Sequence, residues 1–430
     1  MFARDQGASA PNRHDDSHRS DSTESPARRE AGHKAALKKL AEIAHRAELP
    51  AERGGLPPRI ARFLAANTLP SPCLVVDVDM VEHFYLELER ALPPARIFYA
   101  VKANPAEEVI ARLERLGADF DIASVGEIDI CLRLGIAPER ISFGNTIKKQ
   151  RDIAAAFARG VRIFAFDSEA ELQKIAESAP GAKVFCRMLV DCDGAEWPLS
   201  RKFGCEPGMT VDLLVRAQEL GLDPYGVTFH VGSQCTDPVT WRRAIASMGR
   251  LLDDLSEERL RLELLNMSGG FPARYEDPVP DLEEIAAEIN SALDHLPYVP
   301  TQLAAEPGRY LVAESSVLAA SVLGREVRAG ESWIYLDVGA YNGLIETKQT
   351  TKWRYPLWSS RADHSSAPHD SFTVTGPTCD SSDTLFVGVP LPSTMDVGDQ
   401  LYIGSTGAYT LSYASSFNGF PPPRALYVGR

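Results

Sequence analysis

The chain has 430 residues, 44% hydrophobic and 24% charged, with a formal net charge of -14. That length exceeds one ordinary domain and suits a large α/β barrel joined to a second domain. The acidic balance argues against nucleic acid and anionic membrane as partners, since phosphates need Lys and Arg in excess, and it suits a small cationic substrate.

Residues 1–55 read as a polar extension. Residues 1 to about 32 are charged and poor in aliphatics, as in a disordered tail. His14, His18, His33 and His45 are irregularly spaced, so no metal is expected there. Residues 34–49 (KAALKKLAEIAHRAEL) have the spacing of a short amphipathic helix. Residues 56–74 are grouped with a C-terminal β domain, to which SPCLVVDVD (71–79), just before the barrel, is expected to bring a strand.

A barrel is expected over 75–320. From about 95, short apolar or β-branched runs alternate with helical periodicity. The strands are RIFYAVK (96–102), ADFDIA (118–123), ISFGN (141–145), VRIFAF (161–166), KVFCRML (183–189), YGVTFHV (225–231), LELLNMS (262–268) and TQLAAE (301–306). Helical stretches such as 105–117, 125–135, 168–178, 208–221, 239–255 and 281–296 lie between them. Eight β/α units predict a closed TIM-type (β/α)8 barrel. An open doubly wound sheet is disfavoured, because no Gly-rich dinucleotide fingerprint follows the first strand. Over 321–430 the helical period disappears. SWIYLDVG, SFTVTG, TLFVGVPL and QLYIGS read as strands of a β sandwich or barrel.

Barrel enzymes place their chemistry at the C-terminal ends of the strands. Those ends hold Lys102, Asp121, Asn145, Asp167, Arg187, His230, Gly269, Gly270 and Glu306. A strand-end lysine faces the barrel mouth, where its pKa is expected to fall and its amine can form a Schiff base. Glu306, in AAEPGRY, suits an acid set against a pyridine nitrogen. Arg309 and the SGG of 268–270 offer an anion a cation and approachable backbone N–H groups. His230, in TFHVGSQ, could stack on a planar ring, and Ser233 could donate to a phosphate. Alone, such a histidine is more often a core residue, and such a glutamate a turn residue; their weight comes from company. In the β domain, GPTCDSSD sets the thiol of Cys379 beside the carboxylate of Asp380. GAYTLSYASSFNGF carries Tyr409 and Phe417.

Together, YAVKANP, FDIASVGEI, HVGSQ, GGF, EPGRY, GPTCDSSD and GAYTLSYASSFNGF resemble, in order, the ornithine/lysine/arginine/diaminopimelate decarboxylase family, whose barrel is like that of alanine racemase. The resemblance runs from about residue 59 to 430. It implies pyridoxal phosphate held covalently by Lys102, with Glu306 on the ring nitrogen and His230 on the ring face. Gly269, Gly270, Arg309, Ser233 and Tyr409 would hold the phosphate, with Asp121, Glu127 and Arg187 near the ring. Cys379 would protonate the α-carbon after CO2 leaves, and Asp380 would grip the distal amine of a basic amino acid. In this family Cys379 and Asp380 reach the partner's site, which implies a homodimer with shared active sites.

The CDSSD form resembles the ornithine decarboxylases, which implies putrescine as product and a place in polyamine biosynthesis. Ser381 and Ser382 depart from the Gly-Leu common in eukaryotic members, and Ser268 stands where a third glycine often sits. YNGLIET (341–347) also differs, with Tyr341 and Glu346 as candidate substrate contacts. These departures suggest a bacterial-type enzyme and leave lysine open beside ornithine. Diaminopimelate decarboxylase is a rival, though no group for a second amino-acid head stands out. A racemase is disfavoured by Glu306. A catalytically inactive regulatory homologue is disfavoured by the presence of Lys102, Glu306 and Cys379 together.

The seven cysteines (Cys73, Cys131, Cys186, Cys192, Cys205, Cys235, Cys379) are odd in number and lack metal-ligand spacing. With no apolar run long enough for a bilayer and no secretory signal, they lead to the expectation of a reducing cytoplasm.

Overall fold

The computed structural model describes residues 38, 41–51, 55–197, 202–350, 353–361 and 366–429. The tail expected at 1–32 lies outside these residues. Within the helix expected at 34–49, residues 41–47 are helical. No described helix is long and apolar enough to cross a membrane.

Strand β1 (Cys73–Asp77) leads into the helix Val78–Ala91, whose first turn is capped by the Asp77 carboxylate accepting from the Asp79 N–H. Then follow β2 (Arg96–Ala100), β3 (Asp119–Ile122), β4 (Ile141–Phe143), β5 (Ile163–Phe166), β6 (Lys183–Arg187), β7 (Ala195–Trp197), β8 (Asp223–Thr228), β9 (Ser233–Cys235), β10 (Leu264–Asn266) and β11 (Gln302–Ala305). All but β7 and β9 form a closed parallel barrel, sealed where β11 pairs with β2. Strands β7 and β9 pair antiparallel as a small ribbon.

The period-2 alternation of a strand divides each barrel strand between two environments. Phe98, Ile163, Ala165, Phe185, Tyr225, Leu264 and Ala304 form one buried cluster. Their neighbours Ile97, Tyr99, Phe164, Val184, Leu265 and Leu303 belong instead to the large core that includes the helices. Continuing the first phase toward the C-terminal ends reaches Arg187 after Phe185, Asn266 after Leu264 and Glu306 after Ala304. On β3, Asp119 and Asp121 share a face, with Asp119 paired to Arg96 at 2.8 Å.

Helix starts follow local chemistry. Ser124 Oγ accepts from the Glu127 N–H, and Glu127 Oε2 accepts from the Ala123 N–H at 2.6 Å, close to a capping box. The helix Gln150–Ala158, absent from the stretches named above, follows β4.

Beyond the barrel lie β12 (Ser316–Arg328), β13 (Glu331–Leu336), β14 (Leu357–Ser359), β15 (His369–Thr375), β16 (Thr384–Pro392), β17 (Gln400–Gly404) and β18 (Arg424–Val428). With β1 they form one eight-stranded mixed sheet. The first half of β12 pairs with β1 and β17, and after a bulge near Val322 its second half pairs with β13. β1 lies antiparallel to β12 and parallel to β18.

Candidate active site

A cavity of about 510 Å3 opens at the C-terminal ends of the barrel strands, lined in part by Lys102, Asp121, Asn145, Arg187, His230, Ser233, Arg309 and Tyr409. Strand β2 stops at Ala100, and Lys102 sits in a 3-10 turn, Val101–Ala103, rather than on the strand as the sequence suggested. The following KANP explains the stop. Asn104, in extended conformation before a proline, accepts from the Ala106 N–H, and its carbonyl accepts from Tyr99 Oη at 2.9 Å.

Lys102 Nζ lies 3.0 Å from Asp121 Oδ2. Its pKa corrects the expected fall. Burial pulls the amine down, but Asp121, Tyr409 and Glu306 outweigh it, and Lys102 ends above its ordinary value. Asp121 Oδ1 is buried without a hydrogen-bond partner. A Cβ on Gly144 would lie 2.0 Å from that oxygen, so only glycine allows Asp121 its place.

Glu306 is held by Asn266 Nδ2 at 2.5 Å and Ser268 Oγ at 2.9 Å. Burial first, and then Asp121, raises its carboxyl to about 7 against the opposing pull of Lys102. His230 Nδ1 accepts from the Gly232 N–H at 2.9 Å, which leaves the proton on Nε2. Burial, and then the charges of Arg187 and Lys102, hold His230 well below the ordinary imidazole value, so the ring is neutral. The Arg187 guanidinium forms no hydrogen bond among the described residues and faces the Phe203 ring at 5.6 Å.

Gly269 and Gly270 do not line the cavity but pack behind His230. A Cβ on Gly269 would meet the Glu306 carbonyl at 2.6 Å and His230 Nε2 at 3.6 Å. A Cβ on Gly270, at φ +103°, would meet the Gly232 carbonyl at 2.5 Å. Glu127 is turned to the Ala123 backbone and is not part of the lining.

Glu346 lines the same cavity and makes a buried bidentate pair with Arg309, at 2.9 and 2.6 Å. Tyr275 Oη accepts from the same guanidinium at 2.6 Å, and the Trp353 ring lies 4.2 Å beneath it. Arg309, expected as a fixed cation for a phosphate, is held in place by that carboxylate, with Nε buried and unpartnered.

Cys379, Asp380, Tyr341 and Phe417 lie outside this cavity, in a second, solvent-facing cluster. Tyr341 Oη donates to Asp380 Oδ2 at 2.6 Å, and its ring lies 4.8 Å from that of Phe417. The Tyr341 hydroxyl, helped by the Ser382 N–H, holds the Asp380 carboxyl below its ordinary value. The Cys379 thiol donates to Asn418 Oδ1 at 3.4 Å. Asp383, which the sequence reading passed over, organises the loop. Its carboxylate accepts from the Ala340 N–H at 2.7 Å and from Thr378 Oγ1 at 2.7 Å. Cβ atoms on Gly339 or Gly376 would fall within 2.3 Å of it, so the glycines of DVGAY and TGPTC were the available signal. Trp197, Lys202 and Phe203 also line the cavity and were missed. Their clue was the mixed run WPLSRKFG beside the ribbon strand β7.

The residues fit a planar phosphate ester that carries an aldehyde. The amine of Lys102, the orphaned oxygen of Asp121, the unengaged Arg187 and Gly144, where no Cβ fits, all line the cavity.

Residues 78–313 match the family described as pyridoxal-dependent decarboxylase, pyridoxal binding domain. The chain is 36% identical over 356 residues to a lysine/ornithine decarboxylase of Selenomonas ruminantium, covering 83% of this chain and 89% of that one. It is 36% identical over 375 residues to an ornithine decarboxylase of Rattus norvegicus, covering 82% and 80%. A crystal structure of a lysine/ornithine decarboxylase from Vibrio vulnificus complexed with cadaverine aligns with TM-score 0.80 and 31% identity, over 87% of this chain and 100% of that one.

Proposed function

The chain belongs to the pyridoxal-dependent decarboxylase family, and from that premise we propose that it removes the α-carboxyl group of a basic L-amino acid, with ornithine preferred and putrescine formed. The observation that carries this reading is a cavity where the Lys102 amine lies 3.0 Å from Asp121 beside the side-chain-free Gly144, with the charge of Glu306 acting on it. Pyridoxal phosphate, when bound, supplies an aldehyde for amines and a ring that accepts the electron pair left by departing CO2.

The remaining work falls to the chain's own residues. Lys102 Nζ would hold the cofactor through its aldehyde and be free again when a substrate amine takes that place. Asp121, 3.0 Å away, keeps the free amine charged and can take a proton from it. Glu306, near pKa 7, would hold or give a proton at the ring nitrogen. The neutral His230 would cover a face of the ring. Ser233, Tyr409 and Arg309 serve the phosphate, with Gly269 and Gly270 shaping the wall behind His230. Arg187, with its donors unengaged, orients a polar group of the ligand.

The groups assigned to the α-carbon proton and the distal amine, Cys379 and Asp380, face solvent outside the cavity. We therefore propose a homodimer in which each subunit offers Cys379, Asp380, Tyr341 and Phe417 to its partner's cavity. A charged Asp380 suits an ammonium group, and the acidic net charge favours its approach. The cysteines among the described residues are all free thiols, six of them buried, which supports a reducing cytoplasmic setting.

The test is CO2 release from ornithine, lysine, arginine and diaminopimelate with the cofactor supplied. Ornithine, followed by lysine, is expected to lead. Turnover by a Lys102→Ala variant at the normal rate would overturn the site assignment.

A further inference from the structure

The segment 340–348 touches both clusters. A π-turn, Ala340–Leu344, runs directly into a 3-10 turn, Ile345–Lys348. At its start Tyr341 holds Asp380 at 2.6 Å. Five residues later Glu346 holds Arg309 through two hydrogen bonds, with both side chains only 4% exposed.

The stretch between has little slack. Asn342 Oδ1 accepts from the Gly339 N–H at 2.7 Å, and its Nδ2 donates to the Pro421 carbonyl at 3.1 Å. A Cβ on Gly343 would meet Val338 Cγ2 at 2.7 Å. The Asp383 carboxylate fixes the Ala340 N–H at 2.7 Å, and Lys348 Nζ donates to the Thr384 carbonyl at 3.1 Å. A displacement at Glu346 has few places to go except along the segment.

There is also a physical driver. Two anions compete for one guanidinium when a phosphate arrives at Arg309. Nη1 and Nη2 are already engaged, and Nε is buried without a partner. An incoming anion therefore interacts differently with the paired and the shifted arrangements of Arg309 and Glu346, which is what a ligand needs to move an equilibrium.

We propose that residues 341–346 form a strut linking the anion subsite of one subunit's cavity to the Asp380 which that subunit offers its partner, so that cofactor binding in one site sets substrate affinity in the other. Glu346 is then a positioning residue with two outputs: it orients Arg309 for its own cavity, and through Tyr341 it places Asp380 for the neighbouring one. This rests on the shared-site reading above.

Hybrid dimers separate the two outputs. Lys102→Ala chains mixed with Cys379→Ala chains have one live site, built from the lysine of the second chain and the Cys379 and Asp380 of the first. Glu346→Gln placed only in the Lys102→Ala chain is expected to raise KM for ornithine about fivefold or more. Cofactor affinity of the live cavity, titrated by absorbance, should stay unchanged. The same substitution placed only in the Cys379→Ala chain should weaken that cofactor affinity. Tyr341→Phe, a change at a half-buried surface position, cuts the strut at its other end without touching the buried pair. In the Lys102→Ala chain it should raise KM similarly, and combining it with Glu346→Gln should add nothing. An unchanged KM with Glu346→Gln in the donor chain, or additive effects of the two substitutions, would overturn the strut. Mixtures with no activity at all would instead overturn the shared-site reading.

Discussion

Lys148 is the most completely buried cation described near the site, and replacing it with methionine gives a demanding test of the energetics. Its side chain is 0% exposed and lies 3.0 Å from Glu171, itself 2% exposed. Nζ also donates to the carbonyls of Asn145 at 2.7 Å and Ala165 at 2.6 Å, bracing the loop whose Asn145 and Thr146 line the cavity. Burial outweighs the attraction of Glu171 and brings the amine down to about 8. Between that value and its unfolded value of 10.5, the unfolded chain binds a proton that the folded chain lacks, so stability from this group rises with pH across the window. At 1.36 kcal/mol per pKa unit the rise is about 3 kcal/mol. Lys148→Met should abolish it. At pH 7 the same change leaves Glu171 with Lys174 as its remaining cation and strands two carbonyls, and buried acceptors left without a donor cost about 1–3 kcal/mol. For a chain of this size, at about 2 cal/mol/K of unfolding entropy per residue, that corresponds to a melting temperature lower by about 1–4 °C. Lys148→Met/Glu171→Leu should recover only part of the loss, because the carboxylate that lost one of its two cations is gone while the carbonyls of Asn145 and Ala165 still lack a donor. The assay is thermal melting of wild type and both variants from pH 7 to 10.5. A single variant that melts with the wild type and keeps its pH-dependent rise would refute the reasoning.

Two other substitutions probe the cavity. Gly270→Ala must place a side chain at φ +103° and 2.5 Å from the Gly232 carbonyl. It should weaken cofactor retention measured by equilibrium dialysis, whereas Gly208→Ala, with nothing within 4 Å, should not. Glu306→Gln keeps the shape but removes the titrating acid, and kcat should fall on the order of a hundredfold with little change in KM, read from steady-state kinetics.

The barrel was legible because short apolar runs separated by helical periodicity, eight times over, are a strong signal. Arg187 and Glu306 were read from their place at strand ends, and they extend the buried rows begun by Phe185 and Ala304. The expected strand ends ran long, since YAVK and TFHV remain apolar after the ladder has turned aside; Lys102 and His230 belong to those turns. The partner of Glu346 was hidden for another reason. A carboxylate in a loop gives no local sign of the arginine it will meet, and Arg309 lies 37 positions away in sequence. Lys148 was equally silent, because KK in a polar stretch looks solvated until Glu171 is folded against it. Asp383, Trp197 and Phe203 depend on loop packing that no short-range periodicity encodes.

The parallel pairing of β1 with β18 has a consequence for biosynthesis. The barrel closes on itself once β11 has been made, more than a hundred residues before β18 appears. The β sheet gains its last strand only when residues 424–428 lie beside 73–77. A chain that has not yet reached residues 424–428 therefore leaves one edge of β1 without its strand, and an unpaired edge is where a misdirected strand would find its opening.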